Sequence, residues 1–264
     1  MTLPPDMTVC VVVDGPVGMA HRCRDALNAQ TRRVDHVLVA DVLVGLTLAR
    51  EQRCEWIWVL ERAALPARDA LERLLEVADT EMPRPSVLTG LIVDPSQRPI
   101  EGRLPHGRES AVAEAVRGAA HRRVPIRRAP FASALLHVSA LDEHGLPKAQ
   151  RLGPYASEEW TARVLRDRPG FLVPASLAVE ASPADATGVA ALAALPAAAR
   201  VAATGAWTRG EAAHRLAAIA SRAFSRGGSS LDSRDAAGPH RPRGTGAGSA
   251  GSSVRTQGCV RRRR

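Results

Sequence analysis

Three carboxylates stand where apolar runs stop. Glu61 follows Trp-Ile-Trp-Val-Leu at 56–60, Asp14 follows the β-branched run at 8–13, and Asp41 follows the apolar run at 37–40. A carboxylate can hold a hard cation through its oxygens or accept a proton from a hydroxyl. In an open α/β sheet such groups count most at the carboxyl ends of strands, where ligands bind. Glu61 is the sharpest case, because a buried-type run changes abruptly to Glu61-Arg62 and the stretch stops at Pro66, where a helix can begin. Simpler readings exist for each group. An Asp-Gly-Pro turn accounts for Asp14, and an acid near a helix start accounts for Glu61.

The elements that would position these groups alternate. A strand at 8–13 leads into a helix at 17–30 with Ala20, Cys23 and Leu27 at helical spacing. A strand at 37–40, a helix at 43–53 and the strand at 56–60 follow. Leu71, Leu74, Leu75 and Ala78 then stripe one helix face, and 87–93 supplies a further strand. This alternation predicts an α/β domain with a mostly parallel sheet, flanked by helices and joined by right-handed crossovers. From 94 to 128 the pattern weakens: Pro95, Pro99, Pro105 and Gly107 mark loops, and 111–123 reads as a small basic helix. A strand at 131–138 and a helix at 139–144 come next, the helix closed by Gly145 as an αL cap. Residues 158–167 form a helix whose first turn holds Glu158 and Glu159, as the helix dipole favours, and 171–173 is a short strand.

Composition sets outer limits. The chain has 264 residues, 45% of them hydrophobic, enough for a sizeable core. The formal charge is +9, but residues 227–264 hold eight Arg against only Asp232 and Asp235, so the basicity belongs mainly to the tail. Its Gly, Ser, Arg and Pro content predicts disorder. The expected organisation is therefore a domain at 1–182, an Ala-rich helical segment at 183–226 with its best amphipathic stretch at 211–224, and a disordered basic tail at 227–264. The tail lacks the interleaved aromatics of single-strand binders, so nucleic acid is not the expected partner. Cys10, Cys23, Cys54 and Cys259 have neither CxxC spacing nor a nearby His partner, which disfavours zinc and a disulfide framework. No signal-peptide pattern opens the chain, and the Ala-rich run at 189–207 is broken by Pro196 and Arg200. A cytoplasmic location is expected.

The order of several fragments resembles the inverting family 2 glycosyltransferases of GT-A fold, in particular the actinobacterial rhamnosyl and galactofuranosyl transferase-like branch, over residues 8–182. Val9-Cys-Val-Val-Val-Asp14 with Asp25-Ala-Leu-Asn-Ala-Gln-Thr31 is similar to that family's opening strand and helix end. Val34-Asp-His-Val-Leu-Val-Ala-Asp41 is similar to its next strand. Pro125-Ile-Arg-Arg-Ala-Pro-Phe-Ala-Ser-Ala-Leu-Leu136, His144-Gly-Leu-Pro147, Glu159-Trp-Thr-Ala-Arg-Val-Leu-Arg166 and Pro174-Ala-Ser176 follow in the branch's order.

The resemblance implies transfer of a sugar from a nucleotide diphosphate sugar to a hydroxyl of a cell-envelope glycan or lipid-linked acceptor, with inversion. It implies a donor site at Asp14, Asp41, Glu61 and Arg62, with Asp41 facing the nucleotide base. It implies Mg2+ or Mn2+ held by Glu61 and, where the family often has a histidine, by Glu180. The departures fall on the chemistry. The family's Asp-any-Asp triplet is here Glu61-Arg62-Ala63, and its usual acidic pair falls on Ala156 and Ser157, leaving Glu158 and Glu159 as the catalytic-base candidates. The rival expectation is a pseudoenzyme, the fold kept as a binding or assembly partner. A lipid-linked acceptor would bring the chain to the inner face of the membrane, against which the helix at 211–224 could rest.

Overall fold

The computed structural model describes residues 7–15, 17–61, 64–100, 103–107, 123–148 and 153–180, with Ala213 and Ala217. Arg62, most of the helices expected at 111–123 and 211–224, the Ala-rich segment and the tail lie outside the described residues.

The expected α/β architecture is the one the chain adopts. Eight strands, β1 (Val9–Val13), β2 (His36–Val39), β3 (Trp56–Leu60), β4 (Leu65–Pro66), β5 (Val87–Val93), β6 (Val124–Pro125), β7 (Ala134–His137) and β8 (Gly170–Val179), form one sheet. Its order is β2-β1-β3-β7-β5-β8-β4, with β6 added on β8. The helices are α1 (Val17–Asn28), α2 (Val42–Glu51), α3 (Ala70–Thr80), α4 (Val138–His144) and α5 (Ala156–Val164).

The strands β1, β3 and β5 are almost wholly buried because helices cover both sheet faces. Period-two alternation sorts their side chains. Val9, Val11, Val13, Trp56, Trp58 and Leu60 pack with Cys23 and Leu27 of α1 and Leu71, Leu74 and Leu75 of α3. Cys10, Val12, Ile57 and Val59 face the other way, onto Leu46 of α2, Leu141 of α4 and Trp160 of α5. Burial pushes the Cys10 and Cys23 thiols up to about 12, so both are protonated core groups.

Five strands, β1, β2, β3, β5 and β8, point one way, but the simple parallel succession is interrupted. β7 inserts antiparallel between β3 and β5. After β6, the residues Ala129 and Phe131 lie within the helix-side layer of α2, α4 and α5. The chain then enters the sheet at Ser133, whose carbonyl accepts from Gly90 N–H at 2.8 Å. A strand entering there runs back down the sheet without a crossover.

The final strand is also longer than the expected 171–173. β8 continues past Pro174 because its ladder with β5 is broken there: Val173 pairs with Gly90 and Leu177 with Leu91, so residues 174–176 bulge out and Pro174 forfeits no ladder bond. The bulge brings Ser176 against Gly90, where an added Cβ would lie 2.7 Å from Ser176 O and 2.9 Å from its Oγ. Gly145 does end α4 at positive φ (68°), but its ψ of −176° is extended rather than αL.

At the amino end of α4 a histidine serves as cap. His137 Nδ1 accepts from Ser139 N–H at 3.3 Å, and its ring stands edge-on to Trp56 at 4.9 Å. Burial lowers its pKa below the ordinary 6.5, assisted by Arg84 and Arg168 and opposed by Glu55 and Glu143. The folded pKa being the lower one, stability is full above pH ~6.5 and is lost as pH falls through that value towards the folded pKa. Chemical denaturation across pH 5–8 should show this loss, and His137→Asn, which keeps an acceptor at the cap, should flatten it.

Gly90→Ala should lower stability by about 2 kcal/mol in urea titration, since backbone rather than a flexible side-chain tip meets the new methyl.

Candidate functional site

The parallel register gathers the strand-end carboxylates. Val13 pairs with Val39 on one side and Leu60 on the other, so Asp14 follows β1 between the ends of β2 and β3. Asp14 N–H donates to Leu60 O at 3.0 Å and Ala40 N–H to Val13 O at 3.1 Å, which carries the ladders up to the turns. Glu61 stands directly after β3. Asp41 is exposed and caps α2, its Oδ1 accepting from Leu43 N–H at 2.9 Å. That capping bond uses one carboxylate oxygen in a structural role.

The two metal-ligand candidates come together around a guanidinium. Arg103 Nε lies 2.9 Å from Glu180 Oε2 and Nη2 lies 3.3 Å from Oε1, a fork-on-fork pair. Its Nη1 lies 3.5 Å from Glu61 Oε2. Glu180 is 3% exposed, and such a carboxylate requires a partner cation.

Backbone geometry delivers that cation. After β5, Asp94 Oδ1 accepts from Ser96 N–H and Arg98 N–H, and Asp94 N–H donates to Arg98 O, making a closed turn. Pro99 then bridges back to Val93, Ile100 N–H donates to Ile92 O, and Arg103 N–H donates to Ile100 O at 2.8 Å. Glu180 is fixed from its own side, its N–H donating to Val93 O at 3.0 Å.

The catalytic-base candidates occupy different surroundings. Glu158 and Glu159 lie in the first turn of α5, which is anchored by Thr161: its Oγ1 donates to Ala129 O and accepts from Ala129 N–H. Glu158 Oε2 faces Arg128 Nε at 3.2 Å, both side chains buried. Glu159 Oε1 faces Arg163 Nε at 3.4 Å, while its Oε2 is buried without a hydrogen-bond partner among the described residues. The segment 103–107 links the groups, since His106 N–H donates to Arg128 O three residues beyond Arg103.

Both Arg103 and Arg128 escape sequence reasoning. Arg128 adjoins Arg127 in the sequence, and only the fold distinguishes the buried one from its exposed neighbour. Arg103 leaves no trace among 36 basic residues, because only the turn at 94–98 aims it.

The donor set does not fit a divalent cation. Such an ion takes several oxygens, at least one from a carboxylate free to coordinate. Here both Glu180 oxygens receive Arg103, and among the described residues no group of three or more His, Cys, Asp or Glu side chains could hold a metal.

No family model matches the sequence, and no curated protein matches it. Solved structures with a similar chain course include A197 from STIV, at 10% identity and TM-score 0.45 over 65% of this chain and 84% of that one. They also include S. aureus TarS 1–349 in complex with UDP, at 9% identity and TM-score 0.47 over 83% of this chain and 72% of that one. A longer S. aureus TarS structure gives the same identity and TM-score, with 44% of its length covered. At these identities the likeness concerns fold alone. Among the described residues no helix is long and apolar enough to cross a membrane.

Removing one partner of the buried Glu158–Arg128 pair takes away an attraction that offsets the burial of the other charge. Glu158→Gln should therefore cost about 3 kcal/mol, read by urea titration, whereas Asp41→Asn, at an exposed cap where Asn is an equal substitute, should cost less than about 0.5 kcal/mol.

Proposed function

We propose that this chain is a glycosyltransferase-like protein that binds a nucleotide diphosphate sugar over the ends of β1, β2 and β3. It would pass the sugar to a hydroxyl of a cell-envelope glycan or lipid-linked acceptor. The observation that carries the reading is the register of those three strands, which brings Asp14, Asp41 and Glu61 to neighbouring strand ends. In an open α/β sheet this is the ligand-binding position, and it agrees with the donor residues the sequence resemblance implies. Asp41 has one oxygen left for a nucleotide base. Arg62, adjoining Glu61, is the candidate contact to a phosphate.

Proton acceptance falls to Glu159 rather than Glu158. Glu158 is buried against Arg128, and abstraction of a proton there would weaken that pair, whereas Glu159 retains an oxygen outside its contact with Arg163. A lipid-linked acceptor would bring the protein to the inner membrane surface. One observation favours a second reading, a catalytically silent partner that keeps donor binding: both acids of α5 are buried against arginines, which is how structural acids are held.

Calorimetry with uridine and deoxythymidine diphosphate sugars, paired with a donor-consumption assay, separates the cases. Binding with turnover that Glu159→Gln reduces by 100-fold or more, the order expected for loss of a general base, is the predicted outcome. Binding without turnover selects the silent partner, and absence of binding to every donor sinks both.

A further inference from the structure

We infer that Arg103 is a built-in cation occupying the place a divalent metal would take between Glu61 and Glu180, so that this end of the sheet is complete without metal. The inference rests on the ion-pair geometry and stands whether or not a sugar nucleotide binds.

Glu180 is 3% exposed, where burial of a carboxylate is costly unless a cation pairs with it, and Arg103 meets both of its oxygens, at 2.9 and 3.3 Å. The same guanidinium reaches Glu61 at 3.5 Å, so one group spans both carboxylates, as a metal ion would. Arg103 is itself held in place: its side chain is 15% exposed and its N–H is tied to Ile100 O, behind the closed turn at Asp94. A surface arginine folded over a metal site would lack this backbone scaffold. The guanidinium is covalently part of the chain, so the site holds its cation without drawing on solution metal.

Substituting the arginine should expose the latent alternative. Arg103→Ala removes the guanidinium that spans the two carboxylates, one of them buried, and a hard divalent ion matches the place it leaves. Thermal melts of the full chain in EDTA and in millimolar MnCl2 read this directly. The wild type should melt at the same temperature in both. Arg103→Ala should melt lower in EDTA and rise by about 4 °C with Mn2+, the shift expected for an ion at roughly ten times its dissociation constant. Arg103→Ala/Glu180→Gln removes the buried charge, so it should melt above Arg103→Ala in EDTA and ignore Mn2+.

A Mn2+ shift in the wild type equal to that of Arg103→Ala would overturn the inference, as would no shift in Arg103→Ala. So would a double variant no more stable than the single one. If Arg103→Ala alone fails to fold, recovery of folded double variant supports the inference, and failure of both overturns it.

Discussion

A strand covered on both faces has no polar outlet along its length, so its charged residues are driven to its ends. β3 lives under this constraint: Trp56–Leu60 is buried throughout, flanked by β1 on one edge and β7 on the other, with two different helical layers above and below. Glu55 and Glu61 bracket it. The register with β1 then fixes where the carboxyl-end charge must lie relative to its neighbours, and Asp14 and Asp41 follow from the same ladders. The candidate site is in this sense a consequence of burial. Carboxylates collect there because the sheet interior rejects them, and the collection becomes useful or dangerous depending on which cations reach it.

Two solutions to that charge problem appear side by side. Asp41 is exposed, so water and a cap bond suffice for it. Glu180 follows β8 and is 3% exposed, so water cannot serve. A fixed guanidinium is the remaining option in a protein without a lysine near by, since Lys148 is the chain's sole lysine. Arginine also suits the geometry better, because its fork covers both carboxylate oxygens and still reaches Glu61. The turn at Asp94 thus belongs to the electrostatics of the sheet end as much as to chain reversal.

Legibility in the sequence followed distance along the chain. β1, β3, β5 and α3 announce themselves through uninterrupted apolar runs or a 3.6-residue stripe, both local signals. The Gln30-Thr31 pair just beyond α1 is readable as a fragment, and its role is physical: Gln30 Nε2 donates to Ala67 O at 2.7 Å and its Oε1 accepts from Leu71 N–H, tying the end of α1 to the start of α3. What could not be read depends on partners far away in sequence. The antiparallel entry of β7 hinges on where residues 126–133 cross the sheet, and the length of β8 hinges on a bulge facing Gly90. Neither leaves a periodic trace, and Pro174 argues locally for a strand end. The same holds for the site. Glu61 and Glu180 could be named as candidates, but their shared contact runs through Arg103, a residue distinguished only by the turn that carries it.

On the proposed reading, the acids of α5 decide between a binding protein and an enzyme. Placing Glu158 and Glu159 in a first turn costs nothing electrostatically, because that end of the helix favours negative charge. Burying them does cost, and each is met by an arginine from a different direction, Arg128 from the strap ahead of β7 and Arg163 from one turn along the helix. A catalytic base needs the opposite arrangement, an oxygen that is not held by a fixed cation and that a substrate hydroxyl can approach. Glu159 Oε2 lies outside the contact with Arg163, which meets the first condition. Its burial opposes the second, so on the proposed reading turnover asks more of this chain than donor binding does.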